Sequence, residues 1–289
     1  MLASVPSPSS GDVDVGPIEL HAYGVMLLLG IVAATWLTGI RWTRRGGDWD
    51  LVYRVAMWGV LGGVVGARLY HVITSWDTVN GEWWEPFAIW RGGLGIWGGI
   101  AGGVLAGALV VRRSGESVFR FMDAVAPGLL LAQAIGRWGN YFNQELFGKP
   151  TDLPWGLEID PENRPEGYAD VATFHPTFLY ESLWNLLGVA VLLVVDRRFR
   201  IRAPGLFALY VAWYTFGRTF EELLRIDPSH EFLGQRLNFW VSAVLFLLAV
   251  AAFVWSQRRT ERPRTRRPRE PEAPPKKMAI PKGRVRPGR

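Results

Sequence analysis

"LHAYGVMLLLGIVAATWLTGIRWTRR", residues 20–45, decides the fold. Its first part, about 20–40, is apolar over the roughly 20 residues that a helix needs to cross a membrane, and it stops at Arg41, Arg44 and Arg45. Further stretches of the same kind lie at about 51–72, 94–111, 121–140, 176–195, 204–224 and 237–256. Of the 289 residues, 49% are hydrophobic and only 20% are charged, and the apolar ones are gathered into these blocks. The pattern predicts an all-α polytopic integral membrane protein with seven transmembrane helices. Many of the 15 Trp stand near block ends, where indole rings anchor at membrane interfaces. Cysteine is absent, which excludes disulfides, thiolate metal sites and a cysteine nucleophile in the chain itself.

Basic residues alternate between the connections. They follow the first span (Arg41, Arg44, Arg45), the third (Arg112, Arg113, Arg120), the fifth (Arg197, Arg198, Arg200, Arg202) and the seventh. The segment "ITSWDTVNGEWWEPFAIW" has none, and 141–175 has only Lys149 and Arg164. The positive-inside rule then predicts an external N-terminus and a cytoplasmic C-terminus. Residues 1–19 read as an external, loosely ordered leader, and the first 17 lack the basic start of a cleavable signal peptide. Residues 20–256 read as the seven-helix transmembrane domain, with 73–93 as an aromatic interfacial arm and 141–175, rich in Pro, Gly and Asp, as a small external cap. The tail, 257–289, is Pro- and Arg-rich; it is expected to be disordered and drawn to anionic lipid, with no nucleic acid expected as partner.

With that topology, the ionisable residues inside the spans fall on one side. His21, Tyr23, Arg68, Arg137, Tyr180, Glu181, Arg218, Glu221, Glu222 and Arg225 all lie in the outer half. A charge in lipid costs several kcal/mol, so such residues face a polar cavity or each other. In the sixth span, Tyr214, Arg218, Glu222 and Arg225 fall within a stripe of about 80°, with Glu221 beside it. Counted with Arg137 and Arg68, the arginines exceed the nearby carboxylates, and surplus guanidinium at that depth suits a lipid phosphate. Glycines at three- and four-residue spacing in "GVLGGVVGARLY" and "GGLGIWGGIAGGVLAGAL" allow backbone-to-backbone helix packing and leave volume near Arg68 and Arg91. A phospholipid transporter or flippase working at the outer leaflet is the alternative, but no internal repeat is visible. A membrane hydrolase lacks support: there is no G-x-S-x-G, no H-E-x-x-H and no metal-ligand spacing among four His.

The run "GRWGNYFNQELFG", residues 136–148, resembles the signature of the bacterial prolipoprotein diacylglyceryl transferases, G-R-x-G-N-[aromatic]-x-N-x-E-x-x-G. "LHAYGVM", "GARLYHV", "FHPTFLYE" and "YTFGRTFEELLR" are similar to further motifs of that family, and the resemblance covers most of 18–245. It implies a transferase of the bacterial cell membrane with its active site facing the outer leaflet. The substrates implied are phosphatidylglycerol and a prolipoprotein signal peptide carrying a lipobox cysteine. The diacylglyceryl group passes to the cysteine thiol, forming a thioether and releasing glycerol phosphate, without metal or cofactor, as the first step of lipoprotein maturation. Carried over by position, Arg137 and Arg218 bind the phosphate and stabilise the leaving group. Asn140, Asn143, Glu145 and Gly148 frame the site, Tyr214 and Glu222 orient Arg218, Arg68 lies in the lipid site, and His21 and Tyr23 form a nearby catalytic polar pair. In one place the sequence departs from the pattern: Trp97 stands where many members have a histidine. The thiol base is therefore left among His21, Glu145 and the arginine field itself. His71 and His230 read as interfacial, and His175 as a loop-to-helix junction.

Overall fold

The computed structural model describes residues 4–8, 10–15, 18–79 and 81–259, with the side chains of 13–19 and of residue 78 excluded. The basic tail with its expected lipid contacts, apart from 257–259, lies outside the described residues. Among the described residues seven α-helices carry the fold: α1 (Ala22–Arg44), α2 (Trp49–Thr74), α3 (Ile96–Arg113), α4 (Val118–Phe142), α5 (Thr177–Arg198), α6 (Gly205–Glu222) and α7 (Leu237–Arg258). Each follows one of the apolar blocks closely. All but α6 are long and apolar enough to cross a membrane. α6 has 18 residues and ends on a charged turn with Arg218, Glu221 and Glu222. The protein is thus a mostly helical polytopic membrane protein.

Local signals set the helix ends. The Asp48 side chain accepts the Leu51 backbone N–H at 2.9 Å and caps α2. Basic residues occupy the last turns of α1, α3, α5 and α7, where the helix dipole favours cations. α2 and α3 pack backbone to backbone: a Cβ on Gly98 would stand 2.2 Å from the Gly66 carbonyl oxygen, and one on Gly102 would stand 2.2 Å from that of Gly62. The glycines are consumed by this contact. Beside it Arg68 is buried against the arm, where it donates to the carbonyls of Pro86 (2.8 Å), Gly92 (2.8 Å), Gly93 (3.1 Å) and Glu85 (2.5 Å). The arm is three short 3-10 turns, with Trp83, Phe87 and Trp90 exposed.

At the end of the bundle that carries the basic turns, buried Arg41 donates to the carbonyls of Ala124 (2.9 Å) and Asp123 (2.8 Å) and pairs with Asp196 at 3.2 Å. One guanidinium there ties α1, α4 and α5.

Three two-stranded hairpins decorate the opposite end: β1 (Asp12–Val15) with β2 (Ile18–His21), β3 (Leu157–Glu158) with β4 (Thr173–Phe174), and β5 (Glu231–Phe232) with β6 (Gln235–Arg236). Residues 4–8 of the leader differ from the expectation of loose order. Val5 bridges Leu157 in parallel, the Tyr141 hydroxyl donates to the Pro6 carbonyl at 2.9 Å, and Gln144 reaches the Pro8 carbonyl at 3.1 Å. Backbone pairing with β3, invisible to local composition, holds this stretch in place. Under it, Phe147, Leu157, Ile159, Phe174 and Phe178 form the small core of the 141–175 segment.

Candidate active site

The signature run begins inside α4 and leaves it through a strained turn. Asn143 ends the helix, and Gln144 (φ 48°) and Leu146 (φ 58°) take the left-handed conformation that side chains other than glycine rarely adopt. Two fixed anchors hold this backbone: Gln144 binds Asp160 through both its amide nitrogen (2.6 Å) and its oxygen (2.8 Å from the Asp160 N–H), and Thr177 donates to the Leu146 carbonyl at 2.6 Å. Between the two strained residues, Glu145 accepts from Asn140 at 2.8 Å and Asn143 at 3.4 Å. Gly148 is needed for closeness, since an added Cβ would lie 2.8 Å from the His175 Cβ; its N–H donates to the His175 carbonyl at 2.9 Å.

From there a chain of charges crosses the helices. Arg137 Nη1 lies 3.4 Å from Asn140 Oδ1, and its Nε meets Glu181 of α5. The same carboxylate accepts from Arg218 of α6 at 2.7 Å. Arg218 also pairs with Glu221 at 2.8 Å and with Glu222. Glu222 continues to Arg236 at 2.6 Å, and Arg236 and Arg225 both close on Asp227, each at 2.8 Å. Burial works against charge on Asp227, but the hydrogen bonds and charges of Arg225 and Arg236 outweigh it and hold the carboxyl below its ordinary value.

Two expectations change. α6 ends at Glu222, so Arg225 is not on the helical stripe; it sits in the following turn, bridged to Gly148. Nor do the arginines outnumber the carboxylates: Arg137, Arg218, Arg225 and Arg236 face Glu181, Glu221, Glu222 and Asp227. The count from the spans omitted Asp227 and Arg236, whose charges cancel, and included Arg68, which is engaged with the arm carbonyls instead. What the arrangement offers an anion is two guanidinium groups from different helices fixed on one buried carboxylate, with no reorganisation needed to bring them together.

Beside this cluster, between α5 and α6, lies a cavity of about 380 Å³, within the range of small-molecule sites. Glu181, Trp184, Asn185, Tyr214 and Arg218 line it, and exposed Phe216 and Phe220 form part of its wall. Glu221 and Tyr180 also line it, and most of the remaining surface is apolar. The other residues expected at the site divide between this neighbourhood and its margins. Tyr23 lies against α4, where a Cβ on Gly139 would stand 2.5 Å from its ring. His21 is exposed at the end of β2, 2.5 Å from Asp12. Arg68 is engaged with the arm carbonyls. Trp97 is half exposed on the first turn of α3. Glu181 was visible as a buried charge but not assigned to the site; Arg236 gave no signal beyond its position before the last span, and Asn185, well inside α5, gave none.

The profile of the family "Prolipoprotein diacylglyceryl transferase" matches residues 12–255. A Streptomyces coelicolor protein named phosphatidylglycerol–prolipoprotein diacylglyceryl transferase 2 is 54% identical over 261 residues, 89% of this chain and 82% of its own length. The Frankia alni protein named phosphatidylglycerol–prolipoprotein diacylglyceryl transferase is 51% identical over 96% of this chain and 72% of its own. One of the same name from Bifidobacterium adolescentis is 47% identical over 88% and 80%. With that match across nearly all the described helices, the chain belongs to the prolipoprotein diacylglyceryl transferase family.

Proposed function

We propose that this chain transfers the diacylglyceryl group of phosphatidylglycerol to the lipobox cysteine of prolipoproteins, the first step of bacterial lipoprotein maturation. The relatives' shared name supports the activity. The observation that carries it in this chain is the meeting of Arg137 and Arg218 on Glu181 beside an apolar cavity. In the reaction, sulfur bonds to the terminal glyceryl carbon as the bond from that carbon to the phosphate oxygen breaks. The electron pair leaves with the phosphate, and the thiol proton balances the negative charge that the phosphate acquires. Arg137 and Arg218 stabilise that charge at low dielectric, where fixed cations act most strongly. Glu222 and Tyr214 position Arg218; Asn140, Asn143, Glu145 and Gly148 carry the strained turn that holds Arg137 from the other side. The transporter alternative is not favoured by the relatives.

The reading includes seven spans with the N-terminus outside, so that α6 spans with the rest and the cluster faces the outer leaflet of the bacterial cell membrane. Alternation of the basic turns supports this orientation. Residues 73–93 then lie at the outer interface, 141–175 form the cap, and 257–289 meet anionic lipid on the inner side. The test uses the purified chain, phosphatidylglycerol vesicles and a lipobox peptide with Cys or Ser at the acceptor position. A diacylglyceryl mass gain on the Cys peptide alone is expected; none on the Cys peptide would refute the assignment.

A further inference from the structure

Asn185 of α5 is 1% exposed, and neither its Nδ2 nor its Oδ1 has a hydrogen-bond partner among the described residues. A buried carboxamide with both ends unmatched is costly, about 1–3 kcal/mol per unsatisfied group. Helix packing does not explain it, because Asn185 lines the same cavity as Glu181 and Arg218. It lies one turn along α5 from Glu181, about 6 Å by helix rise, and Tyr214 lies one turn along α6 from Arg218 in the same sense. The cavity therefore has two levels: a charged one at Glu181, Arg218 and Glu221, and a neutral one at Asn185 and Tyr214, farther from the helix ends.

We infer that Asn185 is a specificity residue that donates its Nδ2–H to an ester carbonyl of the diacylglyceryl group. The inference rests on the transferase reading above and deepens it. A lipid whose phosphate meets Arg218 has its ester carbonyls on the chain side, a few single bonds away, about 5–6 Å when extended. That spacing matches the one-turn offset between the two levels. A neutral amide suits a neutral carbonyl, since it supplies a hydrogen bond without placing another charge in an apolar wall. A glycerol hydroxyl of the headgroup is the rival partner, but the headgroup lies on the opposite side of the phosphate from the acyl chains.

The test compares diacyl phosphatidylglycerol with its dialkyl ether analogue of equal chain length, using the full chain in detergent micelles and the Cys lipobox peptide. The wild type should prefer the ester donor by about threefold to tenfold in kcat/KM, the range of one neutral hydrogen bond. Asn185→Leu should bring the ratio to about one by slowing the ester donor. Because the ratio is taken within one preparation, it does not depend on how much of the variant folds; Asn185→Ala, smaller than the native side chain, gives the same ratio independently. A wild type indifferent to ester or ether, or a variant that keeps the wild-type ratio, overturns the assignment. So does a variant that instead loses discrimination between phosphatidylglycerol and a headgroup analogue without hydroxyls. A wild type inactive on both donors refutes the transferase reading as well.

Discussion

The indoles of Trp184 and Trp213 stack with centroids 4.4 Å apart and 15° between planes, and each donates its N–H to the other's backbone carbonyl, at 3.1 and 3.0 Å. This reciprocal clasp fixes α5 against α6 beside the cavity. It needs small residues opposite each ring: a Cβ on Gly217 would stand 2.3 Å from Trp184 Nε1, and one on Gly188 would stand 2.4 Å from Trp213 Nε1. Gly217→Ala should therefore displace the ring, destabilise by about 1–3 kcal/mol and slow transfer. Gly136→Ala is the control, because its Cβ would meet nothing within 4 Å. Unfolding midpoints in detergent check this; equal midpoints for the two variants would dismiss the clasp.

The charge chain separates stability from chemistry. Arg218→Gln leaves Glu181, Glu221 and Glu222, all buried, short of one cation. Breaking such a network costs about 3–5 kcal/mol. Adding Glu221→Gln should recover part of the midpoint, because Glu181 and Glu222 keep Arg137 and Arg236 while Glu221, paired with Arg218, is the charge left uncompensated. Transfer should stay reduced by about 100-fold or more in both, since the phosphate has lost its guanidinium. Activity returning with the midpoint would mean that Arg218 serves structure alone.

These cases show how far the sequence could be read. The helices were legible because each is a long apolar run ending on turn or basic residues, and Arg137 and Arg218 were legible because lipid depth makes a charge conspicuous. Arg236 was not. It sits on a two-residue strand before α7, too short for any periodicity, and its partners Glu222 and Asp227 come from across a loop. Asn185 is neutral in an apolar helix, so depth did not flag it; only its missing partners do. The leader pairs with residues 156–158, more than a hundred positions away, which local composition does not encode.

Arg68 makes an arm-specific prediction. Its guanidinium satisfies carbonyls of Glu85, Pro86, Gly92 and Gly93. Arg68→Ala should loosen the 3-10 turns between residues 76 and 91 by leaving those acceptors without a donor, at about 1 kcal/mol per lost bond. Hydrogen exchange of that segment should rise while the rest of the bundle is unchanged. A raised KM for phosphatidylglycerol with exchange in the arm unaltered would place Arg68 on the lipid instead.

His175 should make the segment around it pH-sensitive. Trp155 Nε1 donates to the Tyr180 hydroxyl at 3.0 Å, and the Tyr180 O–H is free to donate to His175 Nδ1, 3.1 Å away, when that nitrogen carries no proton. That direction requires a neutral imidazole. Burial holds the His175 imidazole below its ordinary value of 6.5, so just below that value the folded state binds fewer protons than the unfolded one. Stability from this group is therefore present above the ordinary value and falls as pH drops through it toward the lowered folded value. Amide exchange in residues 148–175, corrected for intrinsic rates, should accelerate more between about pH 7.5 and about pH 5.5 in the wild type than in His175→Gln, which cannot be protonated. The same pH dependence in both proteins would show that the imidazole does not gate the relay from Trp155 through Tyr180.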